Sequence, residues 1–136
     1  MKADPTMEKA VIDAFRQFAS GFTDSDIDTI KSAFAPDSDI ALIGTGADEK
    51  RIGWEEIEKL MVRDWEQSES SSMHIGDYRV SESGSVAWVI ADINVKAKAG
   101  DENIDLALRA TAVLENRSGG WLIQQAHLSA PIQPGF

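Results

Sequence analysis

The sequence predicts an α+β fold in which helices cover one face of a single, mostly antiparallel sheet. Two observations lead to this prediction. In the first half of the chain, apolar residues recur with the spacing of amphipathic helices. From His74 onward they alternate instead, in four long stretches separated only by the turn-rich sequences SESG, KAGDEN and NRSGG. Such short breaks join antiparallel neighbours, so the second half is predicted to form a meander.

Three helices are predicted in the first half. The first is amphipathic and weakens at Gly21, and the second, in TDSDIDTIKSAFAP, is predicted to be capped by Thr23 or Ser25 and to end before Pro36. A strand in DIALIG and a turn in TGADEK precede the third, which begins near Gly53 in RIGWEEIEKLMVRDWEQ. The inward stripes of the three helices are Met7, Val11, Ala14, Phe15, Phe18 and Phe22; Ile27, Ile30 and Phe34; and Trp54, Ile57, Met61 and Trp65.

Length and composition limit the class of protein. The 136 residues predict one domain over 1–136, with an ordered core of about residues 6–131. The formal net charge of −10 repels phosphate backbones and anionic lipids, which argues against nucleic acid and membrane partners. The chain has no cysteine, and its N-terminal stretch is too charged for a signal peptide. We therefore expect a soluble, cytoplasmic protein.

Three short motifs suggest metal or nucleotide binding but fail on their spacing. The DSDID stretch has Thr29 and Ala35 where a calcium loop needs glycine and glutamate. The GTG stretch has Glu49 in place of the third glycine of a dinucleotide fingerprint. His74 and His127 lack any metal-ligand spacing. We predict no metal site and no cofactor.

The face on which His127 lies depends on the turn in ENRSGGW. A three-residue loop with a glycine bulge would place Arg109 opposite His127 and Thr111 opposite Gln125. A two- or four-residue loop would instead set His127 and Gln125 beside alanines, where buried polar groups would lack partners. The bulged turn is favoured because it sorts polar with polar side chains, although both registers remain open at this point.

In the bulged register, polar side chains gather beside aromatic ones on one sheet face. An arginine such as Arg109 binds carboxylate or enolate oxygens, and a histidine such as His127 suits proton transfer near neutral pH. Asp92, on the neighbouring strand, is the added candidate base. We therefore predict a small-molecule pocket with His127 and Asp92 as catalytic residues. The predicted ligand contacts are Arg109, Thr111, Trp121, Gln125, Ser129, Trp88, Asn94, Trp65 and Tyr78.

Three segments together resemble a known superfamily: LIGTGADEKRIGWEEI, LRATAVLENRSGGW and WLIQQAHLSAP. They are similar to the SnoaL-like branch of the nuclear-transport-factor-2-like, or ketosteroid-isomerase-like, superfamily, which includes relatives of the calmodulin-dependent kinase II association domain. The resemblance implies a cystatin-like cone with three N-terminal helices packed on a curved sheet, an internal pocket and a homodimer. Its Arg-x-Thr and His-x-Ser patterns match Arg109 with Thr111 and His127 with Ser129. Ketosteroid isomerases of this superfamily use an aspartate as base and a tyrosine as a hydrogen-bond donor to the oxyanion. No local motif assigns these roles to Tyr78, the only tyrosine, or to any aspartate of this sequence.

Ordinary structural roles are open for the same residues. His127 could be a hydrogen-bonded core residue, Asp92 a structural acid, and Arg109 the partner of Glu115 or Asp105. Three functions follow from these alternatives: an acid–base enzyme of the isomerase, cyclase or dehydratase type, a non-catalytic ligand-binding module, or a homo-oligomerisation module. The expected partners are a second copy of the chain and a small acidic or aromatic metabolite.

Overall fold

A computed structural model of the protein describes residues 1–132. Within that range, the chain forms three helices and six strands, and the strands make one sheet. Two helices come before the first strand, and the third lies between the second and third strands. The helices are α1 (Pro5–Asp24), α2 (Ile27–Ala33) and α3 (Trp54–Glu66), and the strands are β1 (Ala41–Ile43), β2 (Lys50–Ile52), β3 (Ser70–Ser83), β4 (Val86–Ala99), β5 (Glu102–Arg117) and β6 (Gly120–Ser129). The predicted α+β class is confirmed.

The helix ends follow ordinary capping chemistry, with one correction to the prediction. The side chain of Asp4 caps α1 by accepting a hydrogen bond from Met7 N at 2.8 Å. The cap of α2 is Asp26, which accepts from Thr29 N at 3.1 Å, and not Thr23 or Ser25. Thr23 belongs to the last turn of α1, and Ser25 ends that helix with a left-handed φ of 53°.

The strand order is β2-β1-β6-β5-β4-β3, and every pairing is antiparallel except that of β1 with β6. The predicted DIALIG strand contains β1, and an additional short strand, β2, begins at the last residue of the predicted turn and continues to Ile52. β3 begins at Ser70, ahead of the predicted start at His74, so part of the serine-rich stretch is strand. These strands give the helices one continuous sheet to cover.

The sheet has two different faces. On the inner face, α1 packs against β3 and β6, and α2 packs against β6. Buried side chains alternate along β4 and β5 on this side, from Ala87 to Ile93 and from Leu108 to Leu114. The other side, the outer face, carries the intervening residues, and no helix among residues 1–132 covers it. Burial therefore follows the alternation of the strands.

None of the helices within residues 1–132 is both long and apolar enough to cross a membrane.

Candidate functional site

The predicted polar residues do meet, but on the outer face. Three rows of cross-strand partners run over β4, β5 and β6, and most of their side chains are exposed. The rows are Asp92, Arg109 and Ser129; Ile90, Thr111 and His127; and Trp88, Val113 and Gln125. Because no helix of the described residues lies over this face, the rows form a surface and not the wall of an enclosed pocket.

The predicted pairing of the last two strands is wrong by two residues. Arg109 lies opposite Ser129, and His127 lies opposite Thr111. The turn has two residues, Ser118 and Gly119, both with positive φ as in a type I′ turn. The extra residue is instead Gln124, which has no partner where the register shifts between Val113 and Leu114.

This β-bulge changes which face each side chain of β6 occupies. Before it, Trp121 and Ile123 point to the inner face and are buried; after it, Ala126 and Leu128 do so. Trp121 and His127 are therefore on opposite faces, contrary to the predicted continuous odd-numbered face. The side chain of Gln124 donates to the Asp37 carboxylate at 3.1 Å, which Arg117 also binds through two nitrogens.

The structural alternatives for Arg109 and His127 are not found within residues 1–132 either. His127 is exposed and so is not a core residue. Asp105 accepts a hydrogen bond from Asn94 at 2.7 Å, and Glu115 pairs with Arg117. Among the described salt bridges, none includes Arg109.

The two remaining predicted contacts, Trp65 and Tyr78, pack on the inner side. The Trp65 indole N–H donates to the carbonyl oxygen of Phe22 at 3.1 Å, and the centroids of the Trp65 and Phe22 rings lie 6.3 Å apart. The Arg16 guanidinium lies 5.5 Å from the centre of the Tyr78 ring. Neither aromatic residue lines the main cavity described next.

The main cavity lies on the inner face, between the sheet and the helices, and has a volume of about 370 Å³. Its deep part is formed by buried apolar side chains such as Phe18, Leu60 and Leu128. Ile104 and Leu106, which are 38% and 42% exposed, lie at its rim. Its polar side chains are Thr45, Glu49, Asp64, Gln67, Ser68 and Ser71. An apolar cavity of this size with a few polar groups is typical of small-molecule sites.

Asp64 is the ionisable group in this cavity whose environment is most unusual. It is half-buried, and burial, followed by the negative charge of nearby Glu49, raises its pKa to about 6. Arg63 and Arg51 act in the opposite direction but do not cancel these effects. Within the described chain, no side-chain hydrogen bond stabilises its carboxylate. Asp64 can therefore take up and release a proton close to neutral pH.

The loop from Gly44 to Glu49 holds the second carboxylate of the cavity. Gly46 N donates to the Glu49 side chain at 2.8 Å, and Gly44 N donates to the Glu49 carbonyl at 2.8 Å. A Cβ atom added at Gly44 or Gly46 would collide with a Glu49 carboxylate oxygen, so the Glu49 side chain would have to move. The two glycines therefore leave room for this carboxylate in its observed position, which accounts for the GTG sequence without a nucleotide.

The cations nearest to this part of the cavity pair with other acids. Arg63 forms an ion pair with Asp48, and Arg51 lies 3.5 Å from Glu56. Among the described residues that line the cavity, none is Lys, Arg or His. The cavity therefore offers ligands an acidic polar region without a neutralising cation.

Sequence reasoning missed Asp64, although the sequence contains a signal for it. Ile57, Leu60, Met61 and Asp64 follow the i, i+3, i+4, i+7 spacing of the inward stripe of α3. An aspartate at a position that the helix turns inward is expected to be desolvated or to have a partner. For Glu49 no comparable pattern exists, because its position depends on the fold of a loop.

Within residues 1–132, no group of three or more His, Asp or Glu side chains is arranged to hold a metal ion.

The chain belongs to the SnoaL-like domain family, whose sequence model matches residues 11–133. No curated protein matches the sequence. The predicted resemblance to this family is confirmed.

Solved structures with the same fold are distant in sequence. A candidate dehydratase of the NTF2-like family from Streptomyces avermitilis is 18% identical, with a TM-score of 0.84 over 92% of this chain and 97% of that one. A protein with a cystatin-like fold from Nostoc punctiforme is 13% identical, with a TM-score of 0.79 over 99% and 97% of the two chains. The hexachlorocyclohexane dehydrochlorinase LinA-type3 from Novosphingobium barchaimii is 16% identical, with a TM-score of 0.79 over 94% and 90%. At these identities the likeness establishes a shared fold.

Proposed function

We propose that this protein is an acid–base enzyme that acts on a small molecule in the main cavity, with Asp64 as the group that transfers the proton. The observation that carries the proposal is a half-buried carboxyl group with a raised pKa on the wall of an apolar cavity. A general base works best when its pKa lies near the operating pH, and an ordinary aspartate is too weak a base for this.

The simplest reaction is removal of a proton from carbon. The Asp64 carboxylate takes the proton, and the electron pair of the broken C–H bond forms a new C=C bond. In an isomerisation the electrons move onto a carbonyl oxygen and the proton returns at another carbon. In an elimination the neighbouring C–X bond breaks, and X leaves with its electron pair. Thr45 and Ser71 line the same cavity and can donate hydrogen bonds to an oxygen that becomes negative, whereas the Ser68 hydroxyl donates to the Asp64 carbonyl oxygen at 3.3 Å.

The structural neighbours support an elimination without selecting a substrate. One is described as a candidate dehydratase and another as a dehydrochlorinase, and both names denote the loss of a small molecule from the substrate. Because fold alone does not determine activity, the main support for an enzyme is the raised pKa of Asp64 and its position on the cavity wall.

Exchange of carbon-bound hydrogen for deuterium tests the proposal directly. We would follow the methylene protons next to the carbonyl of 2-tetralone in D₂O by NMR. The wild-type protein should accelerate exchange, and the rate should rise with pH through about 6, because only the carboxylate can act as the base. Asp64→Asn should reduce the protein-catalysed rate by about 10²- to 10⁴-fold.

His127→Ala serves as the matched control, because it removes the outer-face histidine that the sequence alone favours as catalyst. Its exchange rate should stay within about threefold of wild type, since surface substitutions generally have small effects. A wild-type rate equal to that of protein-free buffer, or an Asp64→Asn variant as fast as wild type, would overturn the proposal.

We also propose that the outer face forms a homodimer with a second copy of the chain. Trp88 and Ile90 are 43% and 56% exposed at its centre. Asp92 and Arg109 lie beside them, so the face carries both signs of charge. A two-fold dimer brings a surface against itself, and a face with apolar residues and both charges is complementary to its own copy. The cluster first predicted as a pocket then serves assembly.

A further inference from the structure

We propose that the ligand of the main cavity is an uncharged, mostly apolar molecule with a hydroxyl group that donates a hydrogen bond to Asp64, and that the cavity excludes carboxylates. This inference rests on the proposed function, because it takes the cavity as the substrate site. It replaces the acidic metabolite expected from Arg109, which lies on the other face of the sheet.

The charges of the cavity exclude an anion. Its two charged side chains among the described residues are Glu49 and Asp64, both acids. Arg51 and Arg63 lie outside the described lining and form ion pairs with Glu56 and Asp48, although Nε of Arg63 has no hydrogen-bond acceptor among the described residues. The whole chain adds a net charge of −10, which lowers the local concentration of anions further. A bound carboxylate would lose its water and face two acids on a described lining without a cation, and the effects of Arg51 and Arg63 on Asp64 do not cancel those of burial and Glu49.

The acidic side chains of the cavity favour a ligand that donates a hydrogen bond. Glu49 already accepts a hydrogen bond from Gly46 N, whereas the Asp64 carboxylate has no such partner among the described residues. A desolvated acceptor without a partner is costly, and a ligand hydroxyl would satisfy it. A cationic ligand would also do so, but it would hold Asp64 in its ionised form and prevent it from acting as an acid in the return step of the proton.

The walls favour an apolar skeleton of limited size. Leu42, Met73, Val95 and Leu108 are among the largely apolar lining residues, and the volume is near the lower end of the range of about 300–1,000 Å³ for ligand sites. One or two fused rings fit this description better than a long chain or a sugar with many hydroxyl groups.

Three probes with one skeleton separate the alternatives: 1-naphthol, 1-naphthoate and 1-naphthylmethylammonium, titrated by calorimetry at about pH 7.5, where a phenol is uncharged. We expect 1-naphthol to bind at least about tenfold more tightly than either ion, a difference of about 1.4 kcal/mol. Equal or tighter binding of the naphthoate, tightest binding of the ammonium, or no binding of 1-naphthol would each overturn the inference.

Two variants test whether the cavity acids cause the selectivity. In Glu49→Gln/Asp64→Asn, the preference for 1-naphthol over 1-naphthoate should shrink to about threefold or less. Glu55→Gln/Glu58→Gln removes the same charge from exposed positions of α3 and should keep the wild-type preference. If both pairs change the preference equally, net charge and not the cavity is responsible, and the inference fails.

A measurement on the wild-type protein tests the same selectivity without relying on variants that could fail to fold. Lowering the pH from about 7.5 to about 5 protonates Asp64 but leaves 1-naphthoate largely ionised, so the preference should decrease. An unchanged preference would count against the role of Asp64 in selectivity. The deuterium-exchange assay remains independent: intact exchange in Asp64→Asn would reject the enzyme proposal while leaving the ligand class standing.

Discussion

The inner and outer faces of the sheet differ in how their ionisable side chains meet water. The outer face brings together Asp92, Arg109 and His127, residue types that are common in active sites, but all three are exposed. The inner face has fewer such groups, and one of them, Asp64, is half-buried beside a second acid. Burial and a neighbouring acid, and not residue type alone, raise the pKa of Asp64 toward the range that suits proton transfer.

Breaking the outer face should have the largest effect. In Ile90→Asp, dimerisation would bury an unpaired carboxylate, so we expect the dimer to dissociate about 100-fold more readily. Sedimentation equilibrium measures this constant. Val62→Asp places the same charge on an exposed apolar position of α3 and should leave the dimer intact. A wild-type protein that is monomeric at high concentration would disprove the assignment of this face.

Two adjacent residues of β5 allow the inner and outer faces to be compared directly. Leu106 lies at the cavity rim, and Ala107 points to the outer face. Leu106→Trp should fill part of the cavity and weaken binding of 1-naphthol by about tenfold or more, since overpacked sites reject added volume. Ala107→Trp adds the same ring outside the cavity and should leave the affinity within about twofold. Equal losses in the two variants, measured by calorimetry, would mean that 1-naphthol does not bind in this cavity.

The smallest expected effect concerns stability. Because the pKa of Asp64 is raised to about 6 in the folded protein, the folded state holds a proton between about pH 4 and 6 that the unfolded chain has released. The free energy of unfolding therefore falls as pH rises through this window. The asparagine in Asp64→Asn does not titrate, so this variant does not lose stability as the pH rises. It should therefore be more stable than wild type at pH 7 by about 1–2 kcal/mol, after allowance for the partial exposure of the side chain.

Urea unfolding at about pH 4 and pH 7 checks this prediction. The difference between Asp64→Asn and wild type should be larger at pH 7 than at pH 4. Asp101→Asn makes the same chemical change at an exposed turn between β4 and β5 and should alter the unfolding free energy by less than about 0.5 kcal/mol at either pH. A destabilised Asp64→Asn variant at pH 7 would show that the carboxylate has stabilising contacts in the folded state.

Local patterns in the sequence were sufficient for the helices and the family. The apolar stripes of α1 and α3 predicted both helices, because helical spacing follows directly from the rise and turn of the backbone. The segments around Gly44, Arg109 and His127 predicted the SnoaL-like family, which its sequence model confirms. The cross-strand gathering of Asp92, Arg109 and His127 was predicted from strand alternation together with a three-residue bulged turn, and it lies within two residues of the observed register because the extra residue is at Gln124 and not in the turn.

The sequence by itself thus determined the class of fold, the family and which polar residues share a sheet region. Only the tertiary structure decided which face those residues occupy, because one extra residue, Gln124, reverses the alternation of β6. It also decided that Asp64 lines a cavity and that Glu49 is held near it by a folded loop. The physical reason is that alternation and spacing are properties of one segment, whereas desolvation depends on what other segments pack against it.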